Sequence, residues 1–174
     1  MHNFSLGIGR EVAANCVVTW HENGTLRKLA DDRGWAFCDD TTLLRAMHLD
    51  FRAYLRKGGW GVKQTENLFT ANRLHRTSRR QFPSLSTKAK AVAVDLLIRY
   101  LSDIAPCIMP YSDCKYHRAA CVILQRARCM QDVMLRGSVW LQRAEATLLQ
   151  ISGHSFLKVY GWLAREAMSR NCRQ

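Results

Sequence analysis

Asp39-Asp40-Thr41-Thr42-Leu43-Leu44-Arg45-Ala46-Met47-His48-Leu49-Asp50-Phe51-Arg52-Ala53-Tyr54-Leu55-Arg56-Lys57-Gly58-Gly59 is the stretch that decides the fold class. It opens on Asp39-Asp40-Thr41-Thr42, side chains that can accept the orphan amides of a helix N-terminus and place carboxylates at its positive end. Leu43, Leu44, Met47, Phe51, Tyr54 and Leu55 then run down one face, and Gly58-Gly59 stops the helix. Start signal, apolar period and stop signal agree on a helix.

The same grammar extends in both directions. Upstream, Leu6, Val12, Ala13, Cys16, Val17 and Trp20 predict a helix from about Leu6 to His21, closed by Asn23-Gly24. Thr25 to Trp35 has room for a turn or two of helix before Gly34. Downstream, residues 60–83 show no sustained period. Helix signals return at Ser84-Leu85-Ser86-Thr87, and Ala89, Ala93, Leu96, Leu97, Tyr100, Leu101 and Ile104 carry a helix expected to end before Pro106. Pro106 to Pro110 reads as a rigid connector, and Ser112-Asp113 as the cap of a helix reaching about Arg136, broken by Gly137-Ser138. Val139 to Arg170 is apolar at Val139, Trp140, Ala144, Leu148, Ile151, Phe156, Val159, Leu163 and Ala167, one long helix or two with Gly153 and Gly161 as weak points.

No strand pattern of any length competes, so the expected fold is all-α. It comprises about five to seven helices and ends in an antiparallel pair of long helices. The organisation expected is an N-terminal helical part over residues 1–60, a loose basic connector over 61–83 and a C-terminal bundle over 84–174, packed as one domain.

Composition narrows the function classes. A hydrophobic content of 48% argues for a true core, and only 3 prolines in 174 residues suit long helices. No apolar run approaches the ~18 residues of a membrane span, and no secretion signal is visible, so an intracellular protein, nuclear or cytoplasmic, is expected. The 7 cysteines (Cys16, Cys38, Cys107, Cys114, Cys121, Cys129 and Cys172) read as free thiols, mostly buried as small apolar residues. A net charge of +12 points to a polyanionic partner, either DNA or RNA or an acidic protein surface.

Most motifs with chemical potential are better explained by structure. Gly7-Ile8-Gly9 lacks the preceding strand and third glycine of a dinucleotide loop and the Lys-Ser or Lys-Thr of a P-loop. Cys114, His117 and Cys121 share a helix face at spacings a zinc ion could use. No Cys-x-x-Cys knuckle accompanies them, and the same spacing describes a core stripe. They remain weak metal candidates, and no metal or cofactor is expected. Cys38 and His48, or the Cys114–His117 pair, have no evident orienting third group for nucleophilic catalysis. Asp31-Asp32 and Asp39-Asp40 lie at helix borders, where capping is favoured over Mg²⁺ binding. The five tryptophans are scattered, as core or interface anchors are.

The strongest functional hint is a window without acids. No Asp or Glu occurs between Glu66 and Asp95, while Arg73, Arg76, Arg79, Arg80, Lys88 and Lys90 cluster there with His75 and Phe82. Such a segment supports salt-sensitive, sequence-independent nucleic-acid binding, or else faces an acidic protein surface.

Three stretches together carry a family resemblance: Met1-His2-Asn3-Phe4-Ser5-Leu6-Gly7-Ile8-Gly9-Arg10, Phe82-Pro83-Ser84-Leu85-Ser86-Thr87-Lys88-Ala89, and Gly153-His154-Ser155-Phe156-Leu157 with Tyr160, Leu163 and Ala164. In this order they resemble a multi-copy, mobile-element-derived family of uncharacterised proteins in algal protists. The first stretch also resembles the Asp-x-Met-His-x-x-x-Leu-Gly element of CACTA-type (En/Spm) DDE transposases. There His2 matches the motif histidine, and Leu6 and Gly7 match its tail. The resemblance places the metal-binding Asp two residues before Met1, outside this sequence, together with the RNase H-like sheet that precedes the motif. It places a Pro-Lys-x-His segment beyond Gln174. It therefore implies the helical part of a transposase-like protein, without two-metal chemistry and with no enzymatic activity of its own. Nucleic-acid contact through the basic segment is the expected residual function, and a helical module docking an acidic protein partner is the alternative.

Overall fold

The structure, a computed structural model, describes residues 7–37, 39–61, 67–74, 83–85, 90–112, 114–136 and 140–171. Every regular element among them is helical: α1 (Ile8–Glu22), α2 (Thr25–Asp32), α3 (Asp40–Lys57), α4 (Ala91–Ile108), a 3-10 turn (Met109–Tyr111), α5 (Lys115–Arg136) and α6 (Arg143–Asn171). The all-α expectation holds, with six helices.

Local chemistry sets the boundaries. Asp39 accepts the Thr42 amide at 2.7 Å while the Thr42 hydroxyl accepts the Asp39 amide at 3.0 Å, a reciprocal cap that starts α3. Gly24 holds φ at 71°, a left-handed turn that folds α2 straight back, and Thr25 locks it by donating to the Trp20 carbonyl. Asp31 and Asp32 close α2 instead of capping a helix start, which corrects the capping expectation for that pair. Asp32 instead accepts the Tyr111 hydroxyl.

α4 is the central element. Val94, Leu97, Ile98, Tyr100, Leu101 and Ile104 bury it on several sides, and it touches α1, α2, α3 and α5. The helix does not stop before Pro106 but continues to Ile108. A proline there removes the amide that would bond the Ser102 carbonyl. The Gln125 side-chain amide, from α5, donates to that carbonyl at 3.3 Å and restores the bond. The expected rigid connector after Pro106 is thus the last turn of α4 followed by the 3-10 turn.

α5 and α6 form the expected antiparallel pair. Tyr116, near the start of α5, stacks on Trp162 and donates to Glu166 late in α6, whereas Cys129 meets Ser152. α6 is one unbroken helix. Gly153 lies where an added Cβ would be 3.8 Å from the Met130 sulfur, an ordinary contact. Its C-terminal half reaches the core through Phe156. Its first half does not: Trp140 is 83% exposed, and Leu148 and Ile151 are exposed as well, although the apolar period had assigned all three to a buried face.

The connector also contributes to the core without forming a helix. Leu68, Phe69, Leu74 and Leu85 are buried, Phe69 edge-on to Phe51, and Asn15 ties Pro83 to α1 through its carbonyl. No helix among the described residues is long and apolar enough to cross a membrane.

Candidate nucleic-acid interface

The acids of the described residues are largely consumed inside the fold. Asp40 pairs with Arg27 at 3.0 Å, Asp50 with Arg33 at 3.1 Å, Asp132 with Arg99 at 2.7 Å and Asp103 with Arg128. Glu166 takes Lys115 and Tyr116, Glu11 takes the Tyr160 hydroxyl, Asp95 takes the Gln131 amide, and Glu145 accepts the Gln142 backbone amide. Asp39 is spent on its cap. A carboxylate held by a structural partner neutralises a cation locally and is not aimed at a ligand. The acid left on the outside with no such partner is Asp31.

What stays outside is positive, and the clearest row lies on α3. Arg45, Arg52 and Arg56 are exposed and stand seven and eleven residues apart, which keeps them within about 40° around a helix of 3.6 residues per turn. Exposed Leu49 lies in the same stripe, and Lys57 follows at the helix end. The opposite face carries Leu43, Met47 and Phe51 into the core. None of these four cations forms an ion pair within the described residues. Asp50, the acid inside this helix, is turned toward Arg33 and Tyr100, away from the row.

Trp60 follows the row. It is 43% exposed, its ring lies 5.7 Å from the Arg99 guanidinium, and Arg99 is itself anchored by Asp132. The indole packs so closely over Gly58 that a Cβ at that position would collide with it. Trp60 is therefore an exposed aromatic with a fixed seat. The sequence gave a signal for this site, cations at helical spacing followed by Gly-Gly-Trp, but an acid-free window does not detect it because Asp39, Asp40 and Asp50 lie nearby in sequence.

The residues singled out from the sequence are placed unevenly. Of the basic window, Arg73 is half-buried in the turn at residues 71–74 and Lys90 is exposed at the N-cap of α4, while Arg76, Arg79, Arg80 and Lys88 lie outside the described residues. Of the motif at the N-terminus, Gly7 is the N-cap of α1, and His2 and Leu6 lie outside the described residues.

Cys114, His117 and Cys121 are at the start of α5, on the side facing α1. His117 is buried and its Nε2 lies 3.1 Å from the Asn23 amide nitrogen, while Nδ1 is buried without a partner. Burial lowers the His117 pKa and raises that of Cys121. The Cys16 thiol is pushed up to about 12 by its complete burial, with Cys121 adding repulsion. These are packed, protonated thiols beside a neutral imidazole, and no three His, Cys, Asp or Glu side chains among the described residues are grouped to hold a metal ion. Cys107 is exposed and Cys114, Cys121 and Cys129 half-buried, so the expectation of mostly buried thiols holds only for Cys16 among those described.

Comparison with known proteins finds no matching protein-family model, curated protein or solved structure.

Proposed function

We propose that this chain is a non-catalytic helical domain, derived from a transposase-like mobile-element protein, that binds nucleic acid through its phosphate backbone without reading sequence. The observation that carries the reading is the division of charge. Carboxylates are engaged by partners within the fold, and the excess of a +12 chain is presented outward. Cations at a polyanion surface release condensed counterions, which yields affinity that falls steeply with salt. Carboxylates already holding arginines and tyrosines are poor candidates for two-metal chemistry, which supports the non-catalytic part of the reading.

The test is retention of the full chain on duplex DNA as salt rises. Binding at about 50 mM salt that is lost by a few hundred millimolar supports the reading, and absence of binding at about 50 mM overturns it. Arg79→Glu with Arg80→Glu should weaken retention while leaving the helical circular dichroism unchanged.

A second reading, a helical module that docks an acidic protein partner, is favoured by the apolar residues exposed where α5 and α6 meet: Met134, Leu135, Trp140, Leu141, Leu148 and Ile151. Exposed apolar surface of this kind marks interaction sites. Full retention on DNA by the Arg79, Arg80 variant, with loss of DNA-independent association on changing Leu148 and Ile151 to Ser, favours this second reading.

A further inference from the structure

We infer that the exposed cationic row of α3, ending at Trp60, is a track for single-stranded nucleic acid. Arg45, Arg52, Arg56 and Lys57 take phosphates, and the Trp60 ring takes a base. This rests on the nucleic-acid reading above and specifies a site and a ligand form that the basic connector does not.

Three independent features converge here. The first is reach. Arg45 to Arg56 spans eleven residues, roughly 17 Å of helix at 1.5 Å per residue, about the length of five stacked nucleotides at 3.4 Å each. The second is availability. These cations are exposed and form no ion pair within the described residues, in contrast to Arg27, Arg33, Arg99 and Arg128, which the fold itself holds. The third is the seat of Trp60. Gly58 lets the indole lie against the backbone, and the Asp132-anchored Arg99 guanidinium supports the ring, so the exposed part is presented with little rotamer freedom left to lose.

An exposed tryptophan costs solvation and usually has a reason to remain uncovered. Placed beside unpaired cations, it reproduces the two elements by which proteins hold single strands, a basic track and an aromatic platform. Base pairs in a duplex are stacked on both faces and offer such a ring nothing. The site therefore discriminates by strand state and not by sequence. Exposed Leu49, within the arginine stripe, adds an apolar contact for sugar or base.

The experiment is a fluorescence-anisotropy titration of the full chain with a labelled oligothymidylate of about 12 nucleotides and with a duplex of equal length, at several salt concentrations. Wild type should bind the single strand. Trp60→Ala should weaken it about 5- to 150-fold while changing duplex affinity less than about twofold, and Trp60→Phe should recover most of the loss. Arg52→Glu with Arg56→Glu should flatten the salt dependence by about 1.4 in log–log slope, at 0.7 for each phosphate lost. Thermal melts of each variant establish that the fold is retained, and Trp60→Phe keeps the stacking test available if the alanine variant is unstable.

The inference is overturned if Trp60→Ala leaves single-strand affinity unchanged or lowers both ligands equally. It is also overturned if charge reversal at Arg52 and Arg56 has no effect while Arg79→Glu with Arg80→Glu abolishes binding. A wild-type chain that binds duplex but not oligothymidylate defeats this inference and leaves the general reading standing. One that binds neither defeats both.

Discussion

Replacing Asp132 by Ala tests whether the ion pairs between α4 and α5 hold the bundle together. Asp132 lies 2.7 Å from the Arg99 guanidinium, whose side chain is only 9% exposed, and its second oxygen lies 3.9 Å from Arg128 Nε. Removing one partner of a fully buried pair costs about 3–5 kcal/mol, because the other charge is stranded. Arg99 meets that condition, but Asp132 is 28% exposed, so water already shares the interaction and the full penalty does not apply. Arg99 also keeps its place over Trp60, a contact contributing about 0.5–1 kcal/mol. The net expectation is a loss of about 2 kcal/mol, or about 4–8 °C in Tm for a domain of this length. Arg27→Ala is the contrast. It removes a pair whose side chains are 50% and 67% exposed, and should cost under about 1 kcal/mol. Urea unfolding of both variants, with Arg99→Met completing a double-mutant cycle, gives the coupling directly. An Asp132→Ala loss no larger than that of Arg27→Ala would refute the reasoning, because it would mean that Arg99 is hydrated in solution.

Three further expectations follow from the packing. His48 and His117 both have pKa values below the ordinary 6.5, His48 through burial and then Arg52, and His117 through burial. The unfolded chain therefore takes up protons first, so Tm should fall as pH drops below 6.5 towards the folded values; His48→Gln with His117→Gln should flatten that fall above about pH 5. Gln125→Ala should cost about 1–3 kcal/mol in chemical denaturation, because the Ser102 carbonyl then loses the donor that compensates for Pro106, whereas a loss below about 0.5 kcal/mol would show that water replaces the amide. Under native conditions a thiol reagent should modify exposed Cys107 rapidly and buried Cys16 only on unfolding, as peptide mapping would show; early labelling of Cys16 would contradict its burial.

The helices were legible because their signals are local. A cap, an apolar period and a glycine stop all lie within one element, as Asp39, Phe51 and Gly58 do for α3. The misjudged features depend on partners distant in sequence. Pro106 should end α4 by its own chemistry, yet an amide nineteen residues later satisfies the carbonyl it orphans. Trp140, Leu148 and Ile151 share a period with Phe156, but only the later part of α6 lies over the core. Leu68, Phe69 and Leu74 sit in a segment with no period at all and are buried because single anchors need no repeat.

The candidate site shows the same limit for charge. A window of sequence counts acids by proximity along the chain, whereas a surface counts them by where folding sends them. Asp39, Asp40 and Asp50 surround the arginines of α3 in sequence and make that stretch look balanced. Folding commits Asp39 to a cap, Asp40 to Arg27 and Asp50 to Arg33 and Tyr100. The cation partners of these acids come from α2, so the arginines of α3 itself are left over. At about 10 Å, the Debye length in 0.1 M salt still lets neighbours along this row reinforce one another, while the acids on the other side of the helix already carry local counter-charges. A neutral-looking sequence thus becomes a one-sided cationic helix, and the excess charge of the chain need not reside where its acid-free window lies.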